Sequence, residues 1–224
     1  MKTFISKNKW FRTLIIAAFW ILIWQFFAIR ISQEILLARP DAVFKRLLVL
    51  STTWPFWKSV CFSLCKIGLG FIAGIIVGVT LAGLAALRPL IYEVLSPPLS
   101  VIKATPVASF TILALVWIKA QNLSVFISFL MVLPIIYFNT YEGIRQVDHK
   151  LQEMAFVFRV PFVKQLRWIY FKSILPYVAS ACAASLGFAW KSGIAAEVIG
   201  KPSDSIGINL YNAKIFLETA DLLV

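Results

Sequence analysis

Ile67-Gly68-Leu69-Gly70-Phe71-Ile72-Ala73-Gly74-Ile75-Ile76-Val77-Gly78-Val79-Thr80-Leu81-Ala82-Gly83-Leu84-Ala85-Ala86-Leu87 runs for 21 residues without a charged side chain. A helix needs about 20 such residues to cross a hydrocarbon core, so the stretch reads as a membrane span. Gly70, Gly74 and Gly78 recur at every fourth position within it. Glycines so spaced form a flat strip that lets a second helix approach closely where lipid removes the hydrophobic drive for packing. Glycines scattered by chance in a tolerant span are the plainer reading.

Outward from this stretch, four more apolar runs follow the same rule: Thr13–Ile29, broken by Gln25; Leu95–Ile118, interrupted by Lys103 and Pro106; Leu123–Tyr141, around Pro134; and Ser173–Ile199, carrying Lys191 and Glu197. The expected fold is therefore all-α, a polytopic transmembrane helix bundle of five spans. Composition agrees: 60% of the 224 residues are hydrophobic and 14% charged, against about 25% charged in soluble domains. Lys2, Lys7, Lys9 and Arg12 ahead of the first run imitate a signal peptide. No small-x-small cleavage site follows, so an uncleaved span is expected. Residues 1–12 read as a cytoplasmic N-terminus and 13–224 as a single transmembrane domain.

Lys and Arg bias sets orientation. With the N-terminus inside, the cytoplasmic segments hold 11 cations, most of them flanking the first span or in the 142–172 loop, against 8 outside. Five spans leave Lys201–Val224 outside. That tail turns apolar at Leu222-Leu223-Val224, which reads as the threshold of a further helix.

The net charge of +12 sits in clusters between apolar runs, as membrane flanks do, and forms no basic stripe for nucleic acid. Cys61, Cys65 and Cys182 lack metal or redox spacing and read as free, buried, small apolar residues. His149 has no second His or Cys nearby, so no metal site is expected. The chain has no G-x-x-x-x-G-K-[ST] for nucleotide phosphates and no catalytic constellation, so neither enzyme nor cofactor is expected, and an ATPase, if used, would be a separate chain.

Several residues inside or beside the spans carry information. Pro106 and Pro134 would kink their helices, and such breaks either border a path or serve packing alone. Lys191 lies deep in the last span, where a charge faces a bundle interior, water or a partner, or snorkels outward. Glu197, six residues on, does not share its face. Lys66 and Lys103 read as snorkelling near span ends. Between the first two spans, Pro40 and Asp41 can start a helix whose Val43, Leu47 and Leu50 lie opposite Lys45 and Arg46, the pattern of an interfacial helix or of a plain loop.

The 142–172 loop is the most informative segment. Asp148 can cap a helix from His149 to Val160, ended by Pro161. Phe156, Val157 and Val160 give it an apolar face. Beyond the break, Phe162, Leu166, Ile169 and Ser173 share a face, away from Lys164, Arg167 and Lys172. This is the form of a cytoplasmic docking element.

Here the sequence resembles a known family. Glu153-Met154-Ala155, followed after twenty residues by Leu175-Pro176, resembles the E-A-A loop of binding-protein-dependent ABC transporter permeases, closest to the nitrate/sulfonate/taurine (bicarbonate-like) branch. Asn139–Asp148 and Ala189–Gly200 resemble that branch's approach to the loop and its fifth helix. Met154 replaces the middle Ala. Arg159 stands where Gly is usual and is expected not to make the same tight turn, leaving Pro161 to supply the break. The resemblance implies a type I ABC importer permease-like bundle, usually of six helices, so that a sixth would be missing here at the C-terminus. It implies a place in the cell inner membrane. Partners would be an ATP-binding cassette ATPase dimer, an extracytoplasmic substrate-binding protein, a second permease copy in a homodimer, and membrane lipid. Glu153, Met154, Ala155, Phe156, Arg159 and Pro161 would couple to the ATPase; Lys191, Glu197 and Pro106 would border the path. The cargo would be a small anion such as a sulfonate, taurine or nitrate, or a vitamin-precursor heterocycle. The alternative, a secondary transporter or channel subunit, would call for inverted repeats and several intramembrane carboxylates. Only Glu197 lies near a span interior.

Overall fold

The computed structural model describes residues 9–31, 33 and 35–224, with only the backbone of Lys9; the N-terminal flank carrying Lys2 and Lys7 lies outside the described residues. The regular elements among these residues are all helical, with no strand among them: α1 (Lys9–Ile31), α2 (Pro40–Ser51), α3 (Trp54–Leu87), α4 (Pro89–Ala104), α5 (Val107–Ala114), α6 (Ala120–Arg145), α7 (His149–Val157), α8 (Phe162–Gln165), a π-helical turn (Leu166–Tyr170), α9 (Phe171–Gly200), α10 (Ile206–Ile215) and α11 (Thr219–Leu223). They fall into two compact units, one of the described residues up to Ser59 with Ile208–Val224, the other Val60–Gly207.

Among the described residues four helical stretches are long and apolar enough to cross a membrane: Trp10–Ile31, Trp54–Leu87, Ala120–Arg145 and Phe162–Gly200. Two expectations change. The second span begins at Trp54, well before Ile67, and its 34 residues reach about 51 Å, longer than the hydrocarbon core. The run Leu95–Ile118 is not one kinked helix. It divides at Thr105-Pro106 into α4 and α5, with Pro106 as the cap residue of α5. A proline there cannot donate to the preceding turn, and it forces Thr105 to extended geometry (ψ 137°).

In the larger unit α6 is the central helix. Over half of its apolar window is buried, against 28% or less in the other three. Val132 and Ile136 meet Ile67 of α3 and Ala181 and Ala189 of α9. Leu133 and Tyr137 meet Ala82 and Ala85 of α3 and Leu99 of α4. Leu123 and Ile127 meet Ala114 of α5 and Ala196 of α9. Small residues facing large ones bring the backbones close, and the Ser128 hydroxyl donates to the Ala189 carbonyl across the seam (3.1 Å). Cys61 and Cys65 lie on the exposed side of α3, and Cys182 is half-buried. The two α3 cysteines therefore face outward, contrary to the buried positions expected of them.

In the smaller unit, Pro40 opens α2 and the Trp24 indole donates to the Ala38 carbonyl (3.1 Å). Arg46 does not point away from the packed side of α2. It grips Asp221 at the start of α11 with two hydrogen bonds, so Val43, Arg46 and Leu50 share the inner side while Leu47 is exposed.

Candidate functional site: the 142–172 loop and the Glu197 junction

Asp148 caps α7, its carboxylate accepting from the Lys150 amide (2.9 Å), which satisfies one of the free amides of the first turn. The helix ends at Val157, three residues earlier than expected, and the reason is Arg159. Its φ is 49°, in the left-handed region. The Val160 amide reaches back to the Ala155 carbonyl (2.9 Å) and the Arg159 amide to Phe156 (3.1 Å), the paired bonds of a Schellman stop. Arg159 thus makes the tight turn that the sequence seemed to deny it. Pro161 follows as the cap of α8.

This stop folds Val160 inward. Val160 and Tyr170 pack on a small core of Val147, Ala155 and Ile169, so neither Val160 nor Ala155 belongs to the outward face. That face carries Glu153, Met154, Phe156 and Val157, with Phe156 84% exposed. Beyond the break the single face expected for Phe162, Leu166, Ile169 and Ser173 does not form. Phe162 and Leu166 are exposed, and of the four Ile169 alone is buried. The π-helical turn at Leu166–Tyr170 inserts about one extra residue into the turn, so positions on either side follow different registers.

The loop is tied at both ends. The Gln165 amide donates to the Val160 carbonyl (2.7 Å). The Tyr177 hydroxyl donates to Gln146, which in turn donates to Glu142 (2.8 Å). A Cβ at Gly143 would stand 2.9 Å from the Tyr177 ring, so glycine lets α9 close on α6 at the root of the loop. Tyr177, Gly143 and Gln165 were not singled out from sequence. Only Gly143 carried a signal, as a glycine inside a helical stretch, just past its apolar run.

The second cluster surrounds Glu197, which is fully buried. Its Oε2 accepts from the Ser63 hydroxyl (2.7 Å) and the Gly207 amide (3.2 Å). The Ser63 hydroxyl also accepts from the Ile206 amide (3.0 Å). Ser124 lies beside the carboxyl, yet its hydroxyl and Glu197 Oε1 each lack a completed hydrogen bond. A Cβ at Gly207 would collide with Glu197. Glu197 therefore joins α3, α6, α9 and the first turn of α10 in a packed junction. Lys191 instead projects from an exposed face of α9, and Pro106 is exposed; the structure does not bring the three together. Lys66 is bonded to Asn122 (2.9 Å) and lies over the Phe62 ring, so it is not simply snorkelling.

Gly70, Gly74 and Gly78 lie against α6. Cβ atoms there would stand 2.9 Å from Ser128 Cβ, 2.8 Å from Val132 Cβ and 2.9 Å from Ile136 Cβ in turn.

The profile of the binding-protein-dependent transport system inner membrane component family matches residues 70–220. The chain is 26% identical over 217 residues to the "Putative aliphatic sulfonates transport permease protein SsuC" of Bacillus subtilis, covering 96% of this chain and 78% of that protein. It is 26% identical to the bicarbonate transport system permease protein CmpB of Synechococcus elongatus, covering 70% of this chain and 57% of that one. It is 25% identical to the nitrate import permease protein NrtB of the same organism, covering 69% and 55%. The chain thus spans little more than half the length of the bicarbonate and nitrate permeases. With the profile covering residues 70–220, two thirds of its length, this chain belongs to the binding-protein-dependent transport system inner membrane components.

Proposed function

We propose that this chain is the membrane-spanning permease subunit of an ATP-driven importer for a small anion, drawn from the sulfonate, bicarbonate or nitrate class carried by its relatives. The observation that carries the reading is α7. It is a short helix, capped at both ends, seated on its own small core, and it turns Glu153, Met154, Phe156 and Val157 to the outside. An exposed apolar face of this kind marks a partner site, and a separate ATPase dimer is the partner that family membership supplies. Residues 142–172 then lie in the cytoplasm, the N-terminus is inside, and α4 with α5 completes a fifth crossing as a discontinuous helix. Such broken helices line solute paths in transporters. A second copy of the chain and an extracytoplasmic binding protein complete the assembly, with Lys191, exposed on α9, facing the path between copies.

Reconstitution with the ATPase and the binding protein tests this. Uptake of an organic sulfonate, bicarbonate or nitrate that requires ATP supports the reading. Uptake driven by an ion gradient without ATP overturns it in favour of a secondary transporter. Lys191→Met with normal assembly should change uptake; unchanged uptake returns Lys191 to a snorkelling role.

A further inference from the structure

The stretch from α8 into α9 has no part in the proposed solute path or in the α7 face. From Met154 to Ala196 the chain has no Asp or Glu, while Lys164, Arg167 and Lys172 fall within nine residues. All three are exposed, and so are Val163, Trp168, Phe171 and Leu175. Arg167 and Lys172 both lie over the Trp168 ring, at 5.7 Å and 4.7 Å. A shallow surface groove runs along Arg167, Trp168, Phe171, Lys172 and Leu175.

We propose that this edge binds anionic phospholipid, its phosphate held between Arg167 and Lys172 and its acyl chain laid along Phe171 and Leu175. The order of the side chains carries the argument. Lys172 is followed by an uncharged run from Ser173 to Trp190, so the cations stand at the end of a membrane-crossing stretch, where headgroups lie. Leu175 is about 4.5 Å deeper along the helix than Lys172, on the hydrocarbon side. Indole rings favour that boundary, and the Trp168 ring under Arg167 and Lys172 holds both cations on this edge while leaving their charge available to a headgroup. With no acid among residues 154–196, the local charge complements an anion and repels a cationic headgroup. Trp168, Phe171, Lys172 and Leu175 are spaced to share one side of a helix, and all four are exposed while Ile169 is buried.

The proposal depends on the membrane reading alone and on neither the cargo nor the ATPase. Its test uses the purified chain in phosphatidylcholine nanodiscs doped with phosphatidylglycerol brominated on the acyl chain. The emission lost in Trp168→Phe isolates the Trp168 signal. Brominated phosphatidylglycerol should quench that signal at lower mole fraction than brominated phosphatidylcholine. Each cation contributes about five-fold to the preference, so Arg167→Gln with Lys172→Gln should reduce it about 25-fold. The charge-keeping pair Arg167→Lys with Lys172→Arg should retain it. Equal quenching by both lipids in the wild type overturns the proposal. So does an unchanged preference in the Gln pair, a loss in the charge-keeping pair, or full displacement by inorganic phosphate. Loss of quenching when the ATPase binds would assign the groove to that protein and also overturn it.

Discussion

Arg159, Lys201 and Leu217 have φ values of 49°, 52° and 58°, and each follows the end of a helix. For α7 and α10 the bonds are those of a Schellman stop, Val160 to Ala155 and Glu218 to Ala213 (both 2.9 Å). Glycine is the residue whose sequence signal announces such a stop, and none is present at these positions. The left-handed backbone costs a residue with a Cβ about 1 kcal/mol. Arg159→Gly should therefore stabilise the α7 stop by about that much, read as roughly five-fold slower amide exchange across residues 149–160. Unchanged or faster exchange would mean that Arg159 makes compensating contacts. Glu197 gives a second prediction at this scale. Glu197→Ala leaves the Ser63 hydroxyl and the Gly207 amide without their acceptor, at about 1–3 kcal/mol for each buried group. Glu197→Gln keeps an acceptor and adds a donor beside Ser124. Thermal unfolding in detergent should place Glu197→Gln near wild type and Glu197→Ala well below it; equal midpoints for all three would remove the junction from the account. Sequence showed Glu197 as an intramembrane carboxylate and suggested a path. It could not show that Ser63, 134 positions earlier, would fill the space.

At the scale of helices, four of the five runs that hydropathy marked fall in stretches long and apolar enough to cross a membrane, but hydropathy missed where some of them end. Residues 54–66 of α3 contain Lys58, Ser59, Ser63 and Lys66, so the apolar run seemed to open at Ile67. Yet Ser63 is buried on Glu197 and Lys66 is bonded to Asn122, and such partners let polar residues continue a helix. The division of α4 from α5 had its signal in Pro106, but a proline alone does not distinguish a kink from a break. The glycine strip separates packing from composition cleanly. A Cβ at Gly74 would meet Val132 Cβ and Cγ1 at 2.8 Å, whereas Gly68 and Gly83 on the same helix have nothing within 4 Å. Gly74→Ala should therefore lower stability by about 1–3 kcal/mol, as overpacking does. Gly68→Ala should be neutral or slightly stabilising through helix propensity. Val132→Gly placed in the Gly74→Ala background should recover part of the loss, a coupling that a double-mutant cycle measures. Equal effects of Gly68→Ala and Gly74→Ala would mean that the strip has no packing role.

For the whole molecule, the resemblance carried by Glu153-Met154-Ala155 was legible in the sequence, but the division of labour within it was not. Three consecutive residues look alike in a motif, and only the fold shows that Ala155 turns inward to Val147 and Ile169 while Glu153 and Met154 turn out. The two directions predict different failures. Glu153→Lys should leave the loop folded and remove the ATPase, because reversing one charge at a partner surface adds repulsion to a lost attraction; truncation of one member of a buried interfacial pair alone costs about 2–5 kcal/mol. Phe156→Ala should weaken the same contact without a change of charge, so its defect should not vary with salt, whereas that of Glu153→Lys should. Ala155→Leu should act from below. A larger side chain cannot fit between Val147 and Ile169, so α7 should lift from its base and lose protection from amide exchange together with ATPase binding. Pull-down of the ATPase by each variant, alongside exchange across residues 146–170, separates these outcomes. If Glu153→Lys retains full ATPase binding and transport, α7 is not the coupling element. If Ala155→Leu loses binding while its exchange stays that of wild type, the small core is not what positions α7, and the helix must be held by the partner itself.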